Sequence, residues 1–137
     1  MIRTLGVLAL LIAFGFASAE DKPKTGLVVP IPLDKADKVE AKSGEWDRPH
    51  PISDADDLKK FVPDAATRKK VMDAIDFKTH VLLVFAWQGS GGDRLAAAVT
   101  EDVPQEVRFA LKAGATDDTR QHVQLFAVKK EARWTAK

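Results

Sequence analysis

The 137-residue chain contains no cysteine. Disulfides, cysteine-ligated zinc, a thiol nucleophile and a lipid on an N-terminal cysteine are therefore all excluded. The core must come from apolar burial alone. A basic surplus is missing too: the formal net charge is +1 at pH 7. Nucleic-acid binders and polybasic membrane-surface proteins carry a strong excess of lysine and arginine, so neither class fits. Beyond the N-terminus no apolar run is long enough to span a bilayer. Repeats and low-complexity tracts are also absent.

The chain opens with MIRTLGVLALLIAFGFASAED. Arg3 is a positive start, Leu5 to Phe16 is an apolar stretch, and Ala17-Ser18-Ala19 fits a small-residue cleavage site. The apolar run is shorter than the roughly 20 residues of a spanning helix. Residues 1–19 therefore read as a signal peptide cut after Ala19. The expectation is an exported protein, periplasmic or secreted, with no membrane attachment after cleavage. Losing the leader removes Arg3 and no acid, so the remaining charges balance.

Residues 20–50 read as an extended arm or linker, since residues 20–51 hold five of the seven prolines. Within the arm, residues 37–43 suit an edge strand and Trp46 suits a tuck against the body. A small domain is expected over 51–131, with 132–137 as a tail. Ser53 with Asp56 resembles a capping box, opening a helix to about Val62. Pro63 stops it, and Asp64 caps a second helix to about Ala74. Residues 79–87 (THVLLVFAW) are apolar on both faces, the mark of a strand covered on both sides. Residues 106–114 alternate, with Val107, Phe109 and Leu111 inward. Residues 122–130 form a further strand. Residues 94–103 fit a strand through Leu95, Ala97 and Val99, or a helix through Leu95, Ala98 and Val99; the strand is preferred. Val81, Leu83, Phe85, Phe109 and Leu125 are expected in one core. The fold class is α+β: two short N-terminal helices followed by a mainly antiparallel four-stranded β-meander.

The glycine cluster Gly89-Ser90-Gly91-Gly92 invites a chemical reading. A dinucleotide fingerprint and a P-loop both fail at Arg94. A nucleophile elbow needs glycine two residues before the serine, where Gln88 stands. A tight or bulged hairpin turn, with glycines supplying positive φ, accounts for the residues. His50, His80 and His122 are not spaced as metal ligands. His80 and His122 each begin a predicted strand and are candidates to lie together. Asp54, Asp56 and Asp57 lack the glycine and glutamate of a calcium loop, so they read as helix-start acids. No catalytic, cofactor-binding or metal residues are assigned, and no cofactor is expected.

From Pro51 to Lys130 the chain resembles the small domain of protease-complex subunits of the PrcB type, found also in exported bacterial proteins. The resemblance rests on three segments. They are Ile52-Ser53-Asp54-Ala55-Asp56-Asp57-Leu58, Ile75-Asp76-Phe77 followed by Val81 to Phe85, and His122 to Lys130. Ser90-Gly91-Gly92 stands in place of a T-G-G turn. The resemblance implies a mostly β domain with a leading helix. It also implies an accessory role, holding or assembling other exported proteins, and brings no catalytic residues.

The expected function is thus an exported, non-catalytic binding or accessory module assisting the assembly or stability of another exported protein. In a meander the turn at 88–94 and the loop at 114–121 fall at one end. That end gathers Gln88, Ser90, Asp93, Arg94, Asp117, Asp118 and Arg120 as the partner-binding surface. Two rival readings are a carbohydrate-binding module using Trp46 and Trp134, and a small serine hydrolase using Ser90, His122 and Asp93 or Asp118.

Overall fold

The computed structural model describes residues 26–101 and 103–137; the leader assigned to residues 1–19 lies outside them. In chain order the elements are β1 (Val28–Ile31), β2 (His50–Ile52), α1 (Ala55–Phe61), α2 (Ala65–Ala74), β3 (His80–Ser90), β4 (Arg94–Val99), β5 (Glu106–Lys112), β6 (Thr119–Lys129) and β7 (Arg133–Ala136). They build two sheets, a central one in the order β1-β6-β3-β2 and an outer one in the order β4-β5-β7.

Helices, central sheet and outer sheet stack as three layers around two cores. Leu58, Val62, Val71 and Ile75 of the helical segment pack on Leu82, Val84, Leu125 and Ala127 of β3 and β6. Leu83, Phe85, Trp87, Phe126 and Val128, from the other face of the same strands, pack on Leu95, Val107 and Phe109 of the outer sheet. Three phenylalanines centre this second core: Phe85 to Phe109 is 4.8 Å and Phe109 to Phe126 is 5.1 Å between ring centroids.

The expected helix pair and four-stranded meander is not what forms. The structure is mostly β, with seven strands in two sheets, and two strands precede the helices. The reason lies in the side-chain patterns. β3 and β6 are apolar on both faces, so both need cover on both faces, and they pair along their full length from His80↔Lys129 to Ser90↔Thr119. β4 and β5 bury only one face, so they pair with each other as a lid. The glycine corner therefore carries the chain from the central sheet to the outer one. It is not a hairpin turn, and no described glycine has positive φ.

Further corrections follow from packing. Residues 37–43 form no strand. They run past the helices, with Glu40 N–H donating to Phe61 O at 2.6 Å and Lys38 N–H to the Thr67 hydroxyl at 3.1 Å. The edge strand is β1 instead, where Lys129 N–H bonds Leu27 O and alternation turns the nitrogen of Pro30 outward, so its missing donor costs nothing. Trp46 packs against the second core. Residues 133–136 are not a tail: β7 pairs in parallel with β5. The cap of α1 is Asp54, which accepts from Asp57 N–H, rather than Ser53; Asp64 caps α2 through Thr67 N–H. Leu125 lies opposite Val84 and so joins the helix-side core, away from Leu83, Phe85 and Phe109.

Candidate functional site

The corner after β3 and the loop before β6 meet at one end of the sheets. They are knit by side chains that the sequence supplies at both. Ser90 Oγ accepts N–H bonds from Thr116 (3.1 Å) and Gly92 (3.3 Å) and donates to Thr116 O. Asp118 accepts from Gly91 N–H at 3.2 Å and pairs with Arg120. Asp93, only 5 % exposed, accepts from Gly114 N–H at 2.8 Å and from the Trp87 indole at 3.2 Å. His122 stacks on Trp87 at 4.8 Å and 17°.

The glycines permit this close approach. A Cβ on Gly114 would run into the backbone of Gly92, and one on Gly89 would meet the Asp93 carboxylate. Close contact, not unusual backbone conformation, is their reason.

Electrostatics follow the bonding. The Gly114 N–H, then the Trp87 indole and the charge of His122, hold the Asp93 carboxyl below its ordinary value against its burial. The Thr116 hydroxyl first, then Arg120 and the Gly91 N–H, lower that of Asp118. Both are carboxylates at neutral pH and both act as acceptors for loop N–H groups.

All seven predicted residues lie at this end, but they divide in two. Ser90, Asp93 and Asp118 are consumed by the lock. Gln88, Arg94, Asp117 and Arg120 are exposed on its surface. Beside them an open groove of about 910 Å³ runs toward Asp34 and Asp37, with Arg94, Arg120 and His122 on its wall. Sequence reasoning missed this acidic wall. Lys70 of α2 holds Asp37 at 2.7 Å and Asp34 at 3.0 Å, and chiefly the Lys70 bond keeps the Asp37 carboxyl below its ordinary value. Those partners are more than thirty positions apart in sequence, so no local pattern announces them.

The residues named for hydrolysis are differently employed. The His122 Nε2–H donates to the Ser90 carbonyl at 2.8 Å, not to its hydroxyl. Asp93 faces Trp87 and Gly114. A base-to-nucleophile bond is therefore not built among them. Trp46 and Trp134 are both partly covered against the second core rather than presented as flat platforms. His80 and His122 lie at opposite ends of the β3–β6 pair, because antiparallel strands begin at opposite ends. His80 is buried, with its Nε2–H donating to Gly26 O at 3.1 Å and Nδ1 2.7 Å from the Thr79 hydroxyl.

No family model matches the chain, and comparison with curated proteins and with solved structures likewise finds no match.

Proposed function

We propose that the protein is an exported binding or accessory module of the PrcB-like kind, which assists the assembly or stability of another exported protein. The reading is supported by one observation above all. A hydrogen-bonded lock fixes two loops together and leaves Gln88, Arg94, Asp117 and Arg120 exposed, with Arg94 and Arg120 on the wall of an open polar groove. Side chains held on a fixed platform lose little freedom on docking, which favours recognition. Mixed charge on that rim selects a partner surface of complementary pattern and tunes how fast it is found.

The test is a double charge reversal, Arg94→Glu with Arg120→Glu. Folding should change by less than about 1 kcal/mol, since exposed charges contribute little. Capture of a partner from an exported-protein extract should fall. Unchanged capture, with the Glu20–Lys35 arm or Trp46 proving necessary instead, would reject the loop end as the site. A fluorophosphonate probe supplies the contrast with a hydrolase: Ser90 should remain unlabelled.

A further inference from the structure

The two sheets differ in width. Four strands lie in the central sheet and three in the outer one. The shortfall is on the β4 side. There a groove of about 640 Å³ opens between Leu95 and Ala97 of β4 and Val28, Pro30, Gln124 and Phe126 of β1 and β6.

Among the described residues the backbone along this groove is also unpaired. Thr100 N–H donates to Glu106 O at 2.9 Å, which marks Thr100 as bonded to β5. By antiparallel alternation Ala98, Ala96 and Arg94 also turn their bonding groups to β5. Leu95, Ala97 and Val99 then point N–H and C=O outward, away from the sheet. Open edges are normally blunted by proline, charge or shortness. β1 has Pro30 and β2 has Pro51 with only three residues. β4 has six residues, no proline and a single charge, Arg94, at its start. Val99, at its far end, is a large apolar residue 40 % exposed.

We propose that the β4 edge receives an extended segment of another polypeptide as the fourth strand of the outer sheet. The mode is strand addition: backbone bonds to Leu95, Ala97 and Val99 give affinity, and alternate apolar side chains fill the groove over β1 and β6. Charge adds a second requirement. Arg94 lies directly opposite Lys112 on the solvent face of the outer sheet. Among the described residues neither has a carboxylate at ion-pair distance. Like charges so placed repel, and an acid on the incoming strand relieves them. The occupant is therefore an extended segment with alternating apolar residues and an acid at the end that comes beside Arg94. A second copy of this chain does not fit. It would bring Leu95, already buried in its own core, and the alanines of its own β4, and these leave the groove unfilled.

This inference goes beyond the loop-end reading and shares only Arg94 with it. Its test reads backbone amides that the loop-end variants do not alter. The probe is a synthetic peptide, Lys-Ile-Thr-Ile-Thr-Ile-Glu, written for antiparallel addition with its glutamate beside Arg94. Hydrogen exchange is followed by NMR on the full protein. The amides of Leu95, Ala97 and Val99 should exchange rapidly without peptide and slow by roughly tenfold or more with it. Those of Ala96 and Ala98 should be protected throughout. Ala97→Pro removes an outward N–H without breaking a bond to β5, and should abolish the slowing. Replacing the terminal glutamate of the peptide by lysine should weaken binding with no change to the protein at all. The proposal is overturned if the peptide leaves these three amides unchanged, or if both altered reagents bind as well as the originals. It is equally overturned if the amides become protected with rising protein concentration alone, which would assign the edge to a second copy.

Discussion

The Asp93 carboxylate takes the Gly114 N–H on one oxygen and the Trp87 indole N–H on the other. Its pKa is depressed in the fold, so it adds stability at pH values above its unfolded pKa, about 4. That contribution is lost as pH falls through the lower folded value. Asp93→Asn must present its amide donors to one of those N–H groups. It should be less stable than the parent in urea at pH 7, and the gap should narrow toward pH 3. A constant gap would show that the charge does not matter. Asp37, Asp64 and Asp118 are depressed as well, so some acid sensitivity should remain in the variant. Glycines give a second contrast. Gly114→Ala drives a methyl into the Gly92 backbone, whereas a methyl on Gly44 meets nothing within 4 Å. Urea melts should show a loss above about 1 kcal/mol for the first and under about 0.5 kcal/mol for the second. The glycine cluster was legible as a turn between two strands, though not as one that changes sheets. Its cause was not, because Gly92 and Gly114 touch only after two separate loops fold.

The strands with a strong period were readable one by one. β3 shows apolar residues on both faces, and β5 alternates inward Val107 and Phe109 with outward Arg108. Both helices announce themselves, α2 by its aspartate cap and α1 by a capping pattern read one residue early, at Ser53, and by the proline that follows it. Besides β7, which was expected as a tail, the unread elements are two short edge strands whose sequences argue against strand: β1 contains Pro30 and β2 contains Pro51. Only the partner's register makes them strands. Register also decides which core each β6 residue joins, and a two-fold period leaves that choice open. Phe85→Ala and Leu125→Ala thus probe different cores. The first empties the phenylalanine cluster and should cost about 3–5 kcal/mol; the second empties the helix-side core and should cost about 2–5 kcal/mol. Equilibrium denaturation measures both. A Phe85→Ala loss below about 1 kcal/mol would place that ring outside the core.

At the scale of the whole molecule the topology was hidden because pairing is non-local: nothing in residues 80–99 says that β4 will leave β3 for another sheet. The chain's last strand shows the same point. Trp134 of β7 meets Phe109 edge-on at 6.5 Å, and β7 closes the side of β5 away from β4. Ending the chain after Glu131 should therefore lower the calorimetric Tm sharply, where loss of a mere tail would leave it unchanged. The position of β6 has a consequence in time. It is the partner of both β1 and β3, and it is nearly the last element in sequence. Emerging in order, β1 and β3 must wait for residues 119–129 before either gains its main partner. Early contacts are confined to the helices, the short β2–β3 pair and the β4–β5 hairpin. Such a chain closes slowly, through distant contacts, and most of its apolar strand surface waits uncovered until residues 119–129 have emerged.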